Sequence, residues 1–288
     1  MEVGPHGVGC DAQEGCGMDN DSDDLVASLR RGIAGIEAKG SVDTQAAAAA
    51  RHARKHPPKP DPTVQQPYQG MPEGEDWLDN VPAEYRHGEG GFDRQLMEDV
   101  AATGYRCYRV DQIYVRSAPK LLPVVLDWLE HLEERIPGPE TRHRELIRGW
   151  LIWLLNDPAA RGSSRAIAVV IGQILRRDPA LPSPFAAAAG QVLTRIATNH
   201  DFDQIRDVFH RLPDDHHAKP LLIAYFGKVK SAESREVILP YLHGWPVLAI
   251  PALIKMQASE VRHLIEPFLT DRSPETRRYA RRAMERLT

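Results

Sequence analysis

The densest group of ligating side chains in this 288-residue chain is Asp214-Asp215-His216-His217. Two carboxylates beside two imidazoles form a donor set that suits a divalent metal. Adjacent residues in a short turn point their side chains apart, however, so the segment reads as a solvated turn between two helices. Asn199-His200-Asp201-Phe202-Asp203 is a second polar turn, with Asp201 placed to cap the helix that follows. Cys107 with His131 or His143 would supply a nucleophile and a base, but no pattern links the three. Cys10 and Cys16 lack a Cys/His pair at zinc-ligand spacing. The sequence holds no Gly-rich phosphate loop, Gly-x-Ser-x-Gly elbow or His-Glu-x-x-His helix. These residues lead to the expectation of a protein without catalysis, metal or cofactor.

The strongest charge feature lies in the last predicted helix. Arg277, Arg278, Arg281, Arg282 and Arg286, with Arg272 before them, form rows at helical spacing. Such a stripe suits phosphate or an acidic partner. It also suits the polar outer cap that a terminal repeat needs, and arginine is favoured near a helix C-terminus. Charge is unevenly spread: residues 1–92 hold 8 Lys+Arg against 16 Asp+Glu, a net of −8, and residues 93–288 hold 28 against 24, a net of +4. A body at +4 lacks the strongly basic balance of nucleic-acid binders. Arginine outnumbers lysine 28 to 8, which with the alanine runs reads as a GC-rich coding sequence. Three cysteines, an odd and scattered set, fit a reduced cytoplasmic setting rather than a disulfide framework. No apolar run approaches the ~18 residues of a membrane span. No signal peptide is read at the start, and Met18 is read as a start site.

The elements that must position these residues follow from periodicity. Residues 1–91 read as a disordered, acidic, Gly/Pro-rich arm, with seven prolines between residues 57 and 91. Trp77, Leu78, Val81 and Tyr85 are its one sticky patch, able to dock on the body. From Phe92, Leu96, Met97 and Val100 make a short helix stopped by Gly104, and Ile113 and Val115 sit in a second one capped by Asp111. Five helix pairs follow: 119–135 with 140–156, 163–177 with 184–198, 201–212 with 218–230, 232–242 with 245–257, and 259–269 with 273–287. Leu212, Leu242 and Leu269 recur 30 and 27 residues apart, each four residues after Val208, Ile238 or Ile265. A two-helix unit recurring at this period is the mark of an all-α stack in which neighbours bury each other's stripes.

The last unit resembles a HEAT repeat. Leu264-Ile265-Glu266-Pro267-Phe268-Leu269 matches the Leu-Pro-x-Leu habit of the first helix, and Asp271 sits in the turn. Thr276-Arg277-Arg278-Tyr279-Ala280, then Ala283 and Leu287, match the arginine and spaced small residues of the second helix. The resemblance spans about residues 92–288 and is similar to small bacterial HEAT-repeat proteins. It implies an α-α superhelix of about five HEAT-like pairs whose second helices line a concave face. Arg144, Arg148, Arg195, Lys228, Lys255, Arg278 and Arg282 are then the exposed residues expected to grip a partner. The implied function is a cytoplasmic, non-membrane scaffold or adaptor for another protein, a cognate toxin being one class of partner, as for an immunity protein. The alternative is a nucleic-acid binder using the same arginines. Enzymes of this class fit poorly. No His-Glu dipeptide supports a deoxyhypusine hydroxylase, and nothing marks a phycobilin lyase. Trp150 and Trp153, near the Arg148 and Asp157 that would suggest a DNA glycosylase, continue the apolar stripe of Ile147, Leu151 and Leu154 and read as core.

Overall fold

The computed structural model describes residues 68, 70–113, 115 and 117–287. The disorder expected of residues 1–67, and Cys10, Cys16 and Met18, lie outside the described residues. Among those described there are twelve α-helices and no strand, only an isolated bridge between Arg177 and Ala180. The helices are α1 (Arg94–Ala102), α2 (Leu122–Glu130), α3 (Leu132–Arg135), α4 (Arg142–Leu154), α5 (Ser164–Ile174) and α6 (Ser183–Ile196). They continue as α7 (Phe202–Arg211), α8 (Lys219–Val229), α9 (Ala232–Ile238), α10 (Pro246–Met256), α11 (Arg262–Ile265) and α12 (Pro274–Arg286). No described helix is long and apolar enough to cross a membrane.

Local chemistry explains most boundaries. Asp93, Thr141, Ser163, Ser231 and Ser273 each accept a backbone N–H from the first turn of α1, α4, α5, α9 and α12. Each such cap is worth about 1 kcal/mol. Asp271 accepts from the Ser273 amide at 2.7 Å and so sets the turn before α12. Two expected caps differ. Asp201 turns back onto the Thr198 amide at 2.7 Å, closing a short 3-10 turn before α7. Asp111 lies inside the 3-10 helix Val110–Gln112, paired with Arg109, and no helix forms at Ile113 and Val115.

The even-numbered helices from α4 onward form a continuous run: α4 packs on α6, α6 on α8, α8 on α10 and α10 on α12. Small residues set the spacing. A Cβ on Gly149 would lie 2.1 Å from the Phe185 ring, one on Gly190 2.7 Å from the Ala218 carbonyl, and one on Gly227 2.8 Å from Ala252 Cα. Val208, Leu212, Ile238, Leu242 and Ile265 are buried, as the recurrent stripe requires. Leu269 is only partly buried.

The expected boundary at residue 92 moves upstream. Tyr68 and Trp77 belong to the hydrophobic core, and Val81 is buried too. Burying such aromatics stabilises by roughly 1.5–3 kcal/mol each. Polar contacts fix the segment: Tyr108 donates to the Trp77 carbonyl at 3.2 Å, Arg94 to the Leu78 carbonyl at 3.0 Å, and Arg106 to the Gly74 carbonyl at 2.6 Å. His143 Nδ1 reaches the Gly88 carbonyl at 3.0 Å. Proline-rich chain is extended, yet here it is bound.

Candidate functional site

Cations gather toward the C-terminal ends of successive even-numbered helices. Arg195 is the penultimate residue of α6, Lys228 of α8 and Lys255 of α10, and Arg282 stands one turn before the end of α12. A cation there also complements the helix dipole, which by itself accounts for a residue at each end. It does not account for their crowding. Gly227 lets α8 and α10 approach until a Cβ would strike Ala252. Lys228 follows Gly227 directly, and Lys255 stands one turn after Ala252. Lys228 is half-buried, and its ammonium donates to the Thr194 carbonyl. Burial first, then the charges of Lys255, Arg161 and Arg195, push its pKa down to about 8. No described carboxylate lies within ion-pair distance of Lys228 or Lys255.

Between α10 and α12 the row opens into a cavity of about 590 Å³. One wall is the Pro251, Ile254, Lys255 face of α10, at i, i+3 and i+4. The other is the Tyr279, Arg282, Arg286 face of α12, at i, i+3 and i+7. Lys230 and Gln257 complete it. Both follow a helix end with φ of 61°, a left-handed backbone that glycine normally supplies. Such positions cost of order 1–3 kcal/mol and persist where the surroundings or a function hold them. None of the lining residues is acidic, and no described carboxylate pairs with Lys230, Lys255, Arg282 or Arg286.

The α12 stripe therefore divides. Arg277 donates to the carbonyls of Asp271 at 2.6 Å and Arg272 at 3.0 Å, and Arg281 to that of Arg277 at 3.4 Å. Arg278 sits 3.5 Å from Glu275 and over the Tyr279 ring. Arg282 and Arg286 alone of the five face the cavity.

Arg144 and Arg148, expected on an exposed gripping face, are instead 3% and 1% exposed. Glu140 lies just before the Thr141 cap of α4, and Arg144 and Arg148 on one face of that helix reach back to it. Arg144 Nε contacts Glu140 at 2.9 Å and Arg148 Nε contacts it at 3.0 Å. Arg148 also reaches Glu133 at 2.8 Å and Gln173 at 3.0 Å, and Arg176 bridges both glutamates. The remaining Arg144 donors hold the carbonyls of Ile136 and Gly138. Burial alone would raise the Glu133 and Glu140 carboxyls, yet the Arg148 guanidinium holds both below the ordinary range. This cluster ties the Pro137-Gly138-Pro139 turn to α4 and gives every guanidinium nitrogen of Arg144 and Arg148 an acceptor.

The other chemistry-bearing residues have local work. Asp214 pairs at 2.6 Å with Lys219, a buried lysine that also donates to the Leu212 carbonyl at 2.9 Å. His216 Nδ1 accepts from the Ala218 amide at 3.2 Å. Among the described residues no group of three or more His, Cys, Asp or Glu could hold a metal. Cys107 is buried against Met97, and burial pushes its thiol up. His131 turns to Asp127 at 3.3 Å. Trp150 is half-buried edge-on to Phe185, and its indole N–H has no partner.

No family model, characterised protein or solved structure matches this chain. The HEAT resemblance therefore rests on its repeats alone. Sequence reading placed Arg195, Lys228, Lys255 and Arg282 on one interaction face, and the structure sets them in one row. It missed Lys230, and it did not separate Arg286 from the other arginines of the stripe. The lysine pair Lys228-Val229-Lys230 at a helix end, before a serine cap, was the available signal for Lys230.

Proposed function

We propose that the chain is a non-catalytic, cytoplasmic protein-binding scaffold or adaptor, built as an α-solenoid of about five HEAT-like pairs. It grips an acidic segment of another protein along the row Arg195, Lys228, Lys255 and Arg282. The reading is supported by one observation: Arg195, Lys228 and Lys255 stand in the last turns of successive packed helices, Arg282 shares a cavity with Lys255, and no described carboxylate neutralises them. Like charges held together are costly unless an anion joins them, and rows of this kind steer association with acidic partners. The run of α4, α6, α8, α10 and α12, each packed on the next, supports the solenoid.

The test is a titration of the full chain with a labelled Asp/Glu-rich peptide at several salt concentrations. Binding should weaken with salt and fall at least about tenfold when Lys228 and Lys255 are both changed to Ala. Unchanged binding in that variant removes the row from the interface. The same cations suit phosphodiesters, so a duplex is titrated in parallel. Duplex affinity weaker than about 10⁻⁵ M is the expectation for non-specific contact. Sub-micromolar, sequence-dependent duplex binding would replace the protein-binding reading with a nucleic-acid one.

A further inference from the structure

We propose that the cavity between α10 and α12 is a phosphate-monoester site, with Lys230, Lys255, Arg282 and Arg286 around the dianion and the ester's organic group against Tyr279, Pro251 and Ile254. It rests on the protein-binding reading only for the source of the phosphate, free or carried on a partner's side chain.

The charge arithmetic selects the ligand. Four cations line about 590 Å³ with no acidic residue among them. A single carboxylate would leave three of those charges uncompensated. One phosphodiester also brings only one charge. A phosphate monoester brings close to two at neutral pH, with three strong acceptor oxygens.

Donor geometry agrees. Arg282 and Arg286 stand four residues apart, so their guanidinium forks rise from one helix face. Lys255 approaches from the opposite wall and Lys230 from the end of α8. The wall of Tyr279, Pro251 and Ile254 is apolar, which suits the carbon skeleton of an ester more than a bare inorganic ion.

Two further observations point the same way. Arginines elsewhere in the described chain mostly have carboxylate partners: Arg94, Arg135, Arg148, Arg165, Arg176 and Arg235 are all paired. An unpaired set collected in one concavity is therefore not the habit of this surface. In addition, two left-handed non-glycine residues, Lys230 and Gln257, edge the same cavity. At Lys230 the strained backbone carries a charge that glycine, the easier residue there, would remove.

The experiment is calorimetry on the full chain with three probes: inorganic phosphate, an Asp/Glu-rich peptide holding one phosphoserine, and the same peptide with serine. The phosphopeptide should bind one to one and be displaced by inorganic phosphate. It should bind at least about tenfold more tightly than the serine peptide. Arg282→Ala and Arg286→Ala should each weaken it by roughly tenfold, the usual loss for a charge-assisted hydrogen bond. Arg281→Ala, whose guanidinium turns to a backbone carbonyl, should leave it unchanged. All three arginines are exposed or directed outward, so the fold survives each change.

Equal binding of the two peptides, both weakened by Lys228→Ala with Lys255→Ala, overturns the phosphate site and leaves the protein-binding reading standing. One-to-one binding of inorganic phosphate, lost with Arg282→Ala but without gain from either peptide, upholds the site and sinks the protein-binding reading. Failure of all three probes to saturate overturns both. Equal weakening by Arg281→Ala and Arg282→Ala reduces the site to general surface charge and overturns it.

Discussion

Arg148 on α4 and Lys228 on α8 are both cations withdrawn from water, with α6 packed between their helices, and their surroundings are opposite. Arg148 meets Glu133, Glu140 and Gln173. Lys228 meets Lys255, Arg161 and Arg195. The first is a closed account in which every donor has an acceptor, and it fixes a turn. The second is an excess of one sign. The contrast teaches that neither exposure nor burial marks a functional cation. What marks it is whether its counter-charge lies within the fold.

The contrast breaks most readily at Arg148. Removing one partner of a buried pair leaves an uncompensated charge, so Arg148→Ala should destabilise by about 3–5 kcal/mol in urea unfolding. Arg282→Ala should change stability by less than about 0.5 kcal/mol, as for an ordinary surface site. Comparable losses in the two variants would erase the distinction between the regions.

Gly227 offers the next largest effect. Alanine there would meet Ala252 backbone, and α8 and α10 must separate. The cost should be roughly 1–3 kcal/mol. Separation should also let the Lys228 pKa climb back from about 8 toward its ordinary 10.5, visible by NMR of the labelled amine. A destabilised variant with an unmoved Lys228 would show that the crowding comes from elsewhere.

Lys230→Gly should go the other way. Relief of a left-handed non-glycine backbone is worth of order 1 kcal/mol, so thermal unfolding should shift upward while phosphopeptide binding weakens. Loss of stability in that variant would mean that the Lys230 side chain supports the fold.

The smallest effect is on pH. The Lys228 amine is protonated up to about 8 when folded and up to 10.5 at its ordinary value. Between those limits the unfolded chain binds more protons, so folding stability from this group rises with pH across the window. Anion binding moves oppositely, weakening as Lys228 loses its charge above about 8. Lys228→Arg should flatten that binding profile between pH 7 and 9, and a profile as steep as in the parent chain would assign the titration to another group.

Helix pairs were legible because their signals are local. The expected helix at 184–198 is found at Ser183–Ile196, and that at 218–230 at Lys219–Val229. The stripe of Val208, Leu212, Ile238 and Leu242 is buried as its spacing demands. Exposure of charged residues was legible only by default, since periodicity assigns every arginine to solvent. Arg144 and Arg148 break that rule, and Glu140-x-x-x-Arg144-x-x-x-Arg148 was the spacing that announced it. Trp77 was legible as part of an apolar patch able to dock, but Tyr68 escaped because an extended proline-rich segment buries its aromatics without any helical or strand period. The cavity escaped because its walls, α10 and α12, join only through tertiary packing.

The order in which the even-numbered helices pack is also the order in which a ribosome delivers them. Synthesis at roughly 5–20 residues per second spaces successive units seconds apart. Contacts between near neighbours in sequence form far faster than that, in microseconds to milliseconds for helical proteins. Each helix thus emerges to find its docking surface already made, and little apolar stripe waits in water. The cations arrive on the same schedule. Lys228, which rests on the Thr194 carbonyl of α6, precedes Lys255 in the chain, and Arg282 comes later still. On that schedule each new cation joins the row together with the hydrophobic contacts of its own helix.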